Sequence, residues 1–142
     1  AVYTATFAWR ATRPGSRAWL DLGDVRNIAR VALNGRDLGV VWKRPFRVDV
    51  TDALRAGDNA LEVRVANDWF NALAGDERFA DDTGADAKGE IAAWPEWVIK
   101  GTPRPEPKRQ TLTSRKQAAP DAPLHASGLL GPVTVYEQRL LR

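Results

Sequence analysis

The chain has 142 residues, enough for one domain with a sizeable core, and its 44% hydrophobic and 27% charged residues are ordinary for a globular protein. No apolar run approaches the roughly 20 residues that span a bilayer, so we expect no membrane partner. The 21 Lys and Arg against 18 Asp and Glu give a net charge of only +3, which does not argue for a nucleic acid partner. Because Cys is absent, disulfides, thiolate catalysis and Cys-based zinc sites are excluded.

The N-terminal part of the chain reads as short strands joined by turns. From Val2 to Trp9, apolar and polar residues alternate with the period of two expected of a half-buried strand. A turn at residues 13–16 separates this strand from a second one in "RAWLDLG". Because the chain begins inside a strand and contains no Met, we expect it to be a fragment of a longer polypeptide.

The strongest local signal is Asn34-Gly35, which predicts a two-residue hairpin turn because this turn type needs positive φ at both positions. It joins the strands "IARVALNG" and "RDLGVVW", and alternation returns in "FRVDV" and "ALEVRVAN". Between these last two, "TDALRAGDN" reads as a single helical turn. The closing "GLLGPVTVYEQRLL" is expected to be one strand that pairs with the first. This spacing of short strands and turns predicts an all-β fold, an antiparallel β-sandwich.

The alternation fails between about residues 67 and 127. "LAGDERFADDTGADAKGEIAA" is rich in Gly, Asp and Ala, and "KGTPRPEPKRQ" has prolines at alternate positions, which favours irregular, extended chain. We therefore expect a single domain over residues 1–142 with a long irregular excursion at about 67–127. Excursions of this length are usually functional or lie against a partner. The basic segment from Lys100 to Lys116 has no interleaved aromatic residues for stacking on bases, so it reads as a solvated loop.

No catalytic set emerges from the polar residues. The single histidine, His125, lacks a glycine-framed serine nearby and reads as a surface or loop residue. Carboxylates that could pair for acid-base chemistry are Asp21 with Asp24, Asp49 with Asp52, and Asp81 with Asp82 or Asp86. Turn and capping roles explain them more simply, so we expect no enzyme activity in this chain. No cofactor is expected either, although a structural calcium held by loop carboxylates stays open.

The six Trp are the most informative residues, because an indole face can stack on a pyranose while amide and guanidinium groups bond its hydroxyls. Trp9 and Trp19 lie within strands and are expected in the core. The others lie at strand ends or in the excursion, among polar side chains. The predicted carbohydrate-binding or interface residues are Trp42, Arg44, Asn67, Trp69, Asn71, Trp94 and Trp97. A sugar platform and a contact between domains stay equally open for them.

The stretch "WLDLGDVRNIARVALNGRDLGVVWKRPFRVDVTDALRAGDNALEVRVANDWFNALAGD" closely resembles the galactose-binding-like jelly-roll module of glycoside hydrolases. In particular it resembles the C-terminal module of bacterial α-L-rhamnosidases of glycoside hydrolase family 106, and "WPEWVIKGTPRP" and "SGLLGPVTV" resemble the end of those enzymes. The turn signature is shared with the sugar-binding modules of the wider family that includes β-galactosidases and β-glucuronidases.

The resemblance implies a role beside a catalytic domain. In those enzymes catalysis resides in a (β/α)₈ barrel elsewhere, so this chain would be a non-catalytic, carbohydrate-binding accessory module of a hydrolase that acts on plant or bacterial polysaccharide. The alternative is a purely structural domain that docks on the catalytic barrel without a ligand. A secreted or periplasmic location is also implied. Two departures stand out: Asn71-Ala72-Leu73 lacks the arginine usual in the family, and the insert at residues 81–88 has no match.

Overall fold

A computed structural model describes residues 1–10 and 15–138. The chain divides into two compact units, which we call the sandwich unit (Ala1–Asp68 and Ala126–Arg142) and the excursion unit (Trp69–His125). The second unit lies within the segment expected to be irregular, at about 67–127. The expected assignment of residues 1–142 to one domain stays a prediction.

Within residues 1–10, 15–68 and 126–138, the sandwich unit is built from antiparallel strand pairs in three sheets. In chain order the strands are β1 (Val2–Trp9), β2 (Arg17–Asp21), β3 (Asp24–Arg26), β4 (Ile28–Leu33), β5 (Arg36–Val41), β6 (Arg47–Asp49), β7 (Gly57–Ala66), β8 (Gly128–Gly131) and β9 (Thr134–Gln138). The largest sheet has the order β1-β7-β4-β5, a second has β6-β2-β9, and β3 pairs with β8. The predicted all-β antiparallel sandwich is confirmed.

Alternation along the strands determines which side chains form the core. On β7, Leu61, Val63 and Val65 are buried as predicted, and on β4 so are Val31 and Leu33. The second sheet contributes the buried residues Ala18, Leu20 and Val48 to the same cluster, and Val50 joins them directly after β6. Each large aliphatic side chain removed from water stabilises the fold by about 1.5–3 kcal/mol.

The Asn34-Gly35 hairpin forms as predicted. Asn34 has φ 53° and Gly35 has φ 79°, the positive values that this turn type requires. The side chain of Asn34 also reaches beyond the turn: its Nδ2 donates to the carbonyl oxygen of Ala53 at 2.8 Å, and its Oδ1 accepts from the backbone N–H of Ala60 at 3.0 Å. The hairpin is therefore tied to the neighbouring turn and to β7.

The C-terminal strand prediction is wrong in two respects. The segment forms two strands, β8 and β9, because the chain breaks where Gly131 has φ 71° and Pro132 has no N–H to donate. Neither strand pairs with β1: β8 pairs with β3 and β9 with β2, while β1 pairs with β7. The predicted turn at residues 13–16 falls partly outside the described residues.

The two tryptophans expected in the core behave differently. Trp9 is half-buried and packs against the core cluster, as predicted. Trp19 lies on the face of β2 opposite to the buried Ala18 and Leu20, so its core assignment is wrong. The reason is the period of two, which places successive side chains of a strand on opposite faces.

The excursion unit contains two short helices in place of the irregular chain that its composition predicts, α1 (Phe70–Asp76) and α2 (Glu96–Lys100). Its two ends are joined, because the side-chain amide of Asn71 donates to the carbonyl oxygen of His125 at 2.9 Å and accepts from its backbone N–H at 2.8 Å. The rings of Phe70 and His125 stack at a centroid distance of 4.0 Å. Neither helix, among the residues described, is long and apolar enough to cross a membrane.

Candidate functional site

An open cavity of about 610 Å³ lies on the sandwich unit, where the turn after β2 and the loop after β5 come close to β8. Its lining residues are Asp21, Gly23, Asp24, Arg44, Pro45, Phe46 and Gly131. Close backbone approach shapes its floor, because a Cβ on Gly23 would lie 2.3 Å from the carbonyl carbon of Gly131. Only glycine fits at position 23, where φ is also +66°.

Paired charges surround this cavity. Asp24 accepts hydrogen bonds from Arg44 at 2.5 Å and from Arg26 at 3.0 Å, one on each carboxylate oxygen. The Arg44 guanidinium also lies 6.0 Å from the ring centroid of Phe46, and its side chain is largely exposed. Such a pair presents donors and acceptors side by side, the arrangement that bonds neighbouring hydroxyls of a sugar.

The second carboxylate of the cavity, that of Asp21, is also fixed by hydrogen bonds. It accepts from the backbone N–H of Gly23 at 2.9 Å and from Arg47 Nε at 2.7 Å. The Gly23 hydrogen bond, helped by Arg47 and opposed by burial, lowers the pKa of Asp21 below its ordinary value. The group is therefore ionised at neutral pH and suits an acceptor, not a general acid, whose pKa would have to be raised.

Three of the predicted site residues belong to the sandwich unit. Trp42 follows β5 and is 66% exposed, with the Lys43 ammonium 5.6 Å from its ring centroid. Asn67 follows β7 and is exposed. Arg44 lines the 610 Å³ cavity, whereas Trp42 and Asn67 do not. The assignment of these residues to a site stays a prediction.

The other four predicted residues belong to the excursion unit, where they divide into two kinds. Trp69 is 69% exposed at the start of α1, and Trp94 is also exposed. The Asn71 amide is bonded at both ends to His125. Trp97 is half-buried, and its Nε1 donates to the carbonyl oxygen of Asp82 at 3.2 Å. Asn71 and Trp97 therefore have structural contacts in addition to any role in binding.

A buried ionic network occupies the centre of the excursion unit. Asp82 accepts two hydrogen bonds from Arg104, at 2.7 and 3.0 Å, and the Arg104 guanidinium lies 5.1 Å from the Trp97 ring centroid. Arg109 is buried and donates to Glu77 at 2.9 Å. For these two arginines the expectation of a solvated loop is wrong, because the excursion folds back and buries them against carboxylates more than 20 residues away in sequence.

The carboxylates of this network are ionised. Asp82 has a lowered pKa, chiefly because of the hydrogen bond from Arg104. Burial acts to raise the pKa of Asp76, but hydrogen bonds from Thr111 and from the backbone N–H of Gln110 outweigh it and hold that pKa below its ordinary value. Neither carboxyl is suited to donate a proton, and both act as fixed acceptors that order the chain around them.

Three other candidate carboxylates accept hydrogen bonds from residues two positions further along the chain. Asp49 accepts from the hydroxyl of Thr51 at 2.6 Å, Asp81 from that of Thr83 at 2.7 Å, and Asp86 from the backbone N–H of Lys88 at 2.8 Å. Over residues 1–10 and 15–138, no group of three or more His, Asp or Glu side chains is arranged to hold a metal ion. His125 is exposed, and its ring stacks on that of Phe70.

Comparison with known proteins gives three findings. Residues 1–118 match the family described as glycosyl hydrolase 2 galactose-binding domain-like. A candidate β-glucuronidase of Formosa agariphila is 41% identical over 138 residues, which are 95% of this chain and 12% of that protein. The solved rhamnosidase of Novosphingobium sp. PP1Y is 33% identical, with a TM-score of 0.68 over 96% of this chain and 11% of its own.

A further solved structure aligns with the same share of this chain, at lower similarity. The β-glucuronidase of Bifidobacterium dentium, complexed with coumarin-3-O-glucuronide, is 28% identical with a TM-score of 0.56, over 96% of this chain and 21% of its own. The chain thus spans about an eighth of the curated relative, and between a ninth and a fifth of these two solved proteins.

Proposed function

Because the chain belongs to the glycosyl hydrolase 2 galactose-binding domain-like family, we propose that it is a non-catalytic accessory module of a longer glycoside hydrolase and contacts carbohydrate. The observation that carries the proposal is the match to the Novosphingobium rhamnosidase, at 33% identity and a TM-score of 0.68 over nearly the whole chain. From the sequence resemblance we further propose that the parent enzyme is an α-L-rhamnosidase of family 106, with this module at its C-terminal end and a periplasmic or secreted location.

A parent of β-glucuronidase type is the second candidate. It is favoured by the Formosa agariphila relative, which has the higher sequence identity, 41%. The two candidates share the role of this chain and differ in the sugar that the catalytic domain cleaves.

The chemistry of the sandwich unit supports a binding role for the chain. The carboxylates of its cavity are paired with arginines, and the lowered pKa of Asp21 makes it an acceptor instead of a proton donor. The Asp24–Arg44 pair on an open cavity of about 610 Å³ offers the polar contacts that a pyranose needs, in a space larger than one sugar ring.

A titration followed by amide NMR tests this site. The 142-residue chain is titrated with L-rhamnose, galactose and a rhamnose-containing oligosaccharide, and we expect saturable shifts at Gly23, Asp24 and Gly131. Arg44→Ala should weaken binding about tenfold or more, because removing one partner of a sugar hydrogen bond leaves the other unpaired. Arg64→Ala, which breaks the exposed pair with Glu62, is the matched control and should not change binding.

The alternative, a docking domain without a ligand, is distinguished by the same titration. It is favoured by the large apolar side chains that the excursion unit leaves exposed, such as Trp94 and Ile99. If a folded protein shows no shift up to high millimolar sugar, carbohydrate contact is ruled out and docking becomes the better function. Trp97→Ala is unsuitable as a probe of binding, because Trp97 also holds α2 to the ionic network.

A further inference from the structure

The helix α2 has apolar side chains without a partner inside the excursion unit. None of its residues, Glu96–Lys100, is buried. Ile99 is 70% exposed, Val98 38%, and Trp94, just before the helix, 54%. Leaving such side chains in water forfeits the stabilisation of about 1.5–3 kcal/mol that full burial of each would give.

The exposure of these side chains is fixed by the way α2 is anchored. Trp97 attaches the helix to the rest of the unit, through its hydrogen bond to the carbonyl oxygen of Asp82 and through the Arg104 guanidinium over its ring. Since Asp82 in turn binds Arg104 with both carboxylate oxygens, the anchor is rigid. The helix cannot turn to bury Val98 and Ile99 without withdrawing Trp97 from these contacts.

We propose that Trp94, Val98 and Ile99, which we call the α2 patch, dock on an apolar surface of the remaining part of the hydrolase polypeptide. The inference rests on the proposed function in one respect, that the chain is a module of a longer enzyme. It goes beyond that function by naming the surface and its occupant.

The size of the patch favours a covalently linked occupant. Three side chains expose on the order of a few hundred Å², well below the roughly 800 Å² per partner of a stable complex between separate proteins. A tethered domain needs less, because the linkage raises the effective concentration of the two surfaces to the millimolar range. A free partner or a second copy of this chain would be held too weakly by the α2 patch alone.

The relatives are much longer than this chain, so further polypeptide is the candidate occupant of the patch. The Novosphingobium rhamnosidase aligns with 96% of this chain, yet this chain is 11% of that protein. About eight-ninths of such a polypeptide is therefore available as a covalently linked surface. The docking surface needs no net charge opposite the patch, because Glu96 and Lys100 beside it form an ion pair at 2.7 Å across one helical turn.

Hydrogen exchange on the intact source polypeptide and on the isolated 142-residue chain tests the proposal. The double variant Val98→Gln, Ile99→Gln removes the apolar side chains of the helix itself and introduces a good helix former at both positions. Leu124→Gln is the matched control, because Leu124 is an exposed apolar residue of the same unit. We expect the amides of residues 97–101 to exchange about tenfold or more slowly in the intact polypeptide than in the isolated chain. The double variant should abolish this difference, whereas Leu124→Gln should preserve it.

Three results would overturn the proposal. The first is equal exchange of α2 in the intact polypeptide and in the isolated chain. The second is an equal loss of protection in Leu124→Gln. The third is a concentration-dependent dimer of the isolated chain that the double variant dissociates, since the occupant would then be a second copy. Failure of the sugar titration alone leaves the docking proposal standing, whereas a source polypeptide that does not extend beyond this domain overturns both.

Discussion

Asn59 gives the sharpest test of how the sandwich unit is held together. Its side chain is fully buried and uses all of its hydrogen-bonding capacity. Oδ1 accepts from Asn34 Nδ2 at 2.8 Å and from the backbone N–H of Arg55 at 2.9 Å, while Nδ2 donates to the carbonyl oxygens of Arg55 at 2.9 Å and Gly57 at 2.8 Å. One amide thus joins the hairpin turn to the turn before β7.

Asn59→Ala should lower the free energy of unfolding by about 3–4 kcal/mol. Each of the four bonds contributes about 1 kcal/mol net, and their loss leaves backbone groups of Arg55 and Gly57 without a partner in a site that excludes water. This is a large fraction of the roughly 5–15 kcal/mol by which a domain is stable, and it corresponds to a fall in Tm of roughly 10 °C.

Urea unfolding followed by far-UV circular dichroism measures the effect. Asn67→Ala is the matched control, because Asn67 is exposed at the end of β7 and its replacement should stay within about 0.5 kcal/mol. A loss below about 1 kcal/mol for Asn59→Ala, with the unfolding slope unchanged, would refute the assignment of these four bonds as a structural joint.

A glycine, a buried arginine and a buried carboxylate give three further expected outcomes. Gly23→Ala should lower the free energy of unfolding by more than about 3 kcal/mol, because the new Cβ would lie 2.3 Å from the backbone of β8. Gly39→Ala, at a position with positive φ but open space, should lower it by about 1 kcal/mol through backbone strain. Equal losses in urea unfolding would contradict this reasoning. Arg109→Met should weaken the excursion unit by about 3 kcal/mol, since Glu77 would lose its buried partner at 2.9 Å and keep the Lys116 ammonium at 3.4 Å. Arg64→Met, in an exposed pair, should cost less than about 1 kcal/mol. Hydrogen exchange measures both losses, and similar values would count against a buried network. The lowered pKa of Asp76 means that its ionised form stabilises the fold, so this contribution is present above about pH 4 and is lost as the pH falls through the folded pKa. Amide NMR should show the excursion unit opening in that acid range. An acid response that is unaltered in Asp76→Asn would contradict this role of Asp76.

Local rules predicted most of the sandwich unit. The Asn34-Gly35 turn and the alternation along β1, β4 and β7 are properties of neighbouring residues, so they can be read without knowing what each strand faces. The three-residue strand β3 is too short to show a period, and the break between β8 and β9 at Pro132 depends on which neighbours those strands pair with. These features require tertiary information.

The candidate sites were less predictable, because they combine residues that are distant in sequence. Arg44 stands out in the sequence because it lies close to a tryptophan, but its partner Asp24 is 20 residues away, where the sequence suggests only a pairing with Asp21. The ionic pair of Asp82 and Arg104 spans 22 residues across a segment whose composition indicates irregular chain. A run of mixed charges has the same sequence pattern whether its side chains are solvated or form buried ion pairs with one another.

The two units are stabilised by different interactions: an apolar core in the sandwich unit, and buried charged groups in the excursion unit. The sandwich unit has a contiguous apolar core, whereas the excursion unit buries Asp76 and Arg109 at its centre and leaves Trp94 and Ile99 exposed. Charged groups can fix the geometry of a segment, but they contribute little net stability, because the cost of removing them from water offsets much of their attraction. The excursion unit therefore has a defined shape and an unsatisfied apolar surface together. That combination fits the proposed docking of the α2 patch on the remaining part of a longer polypeptide.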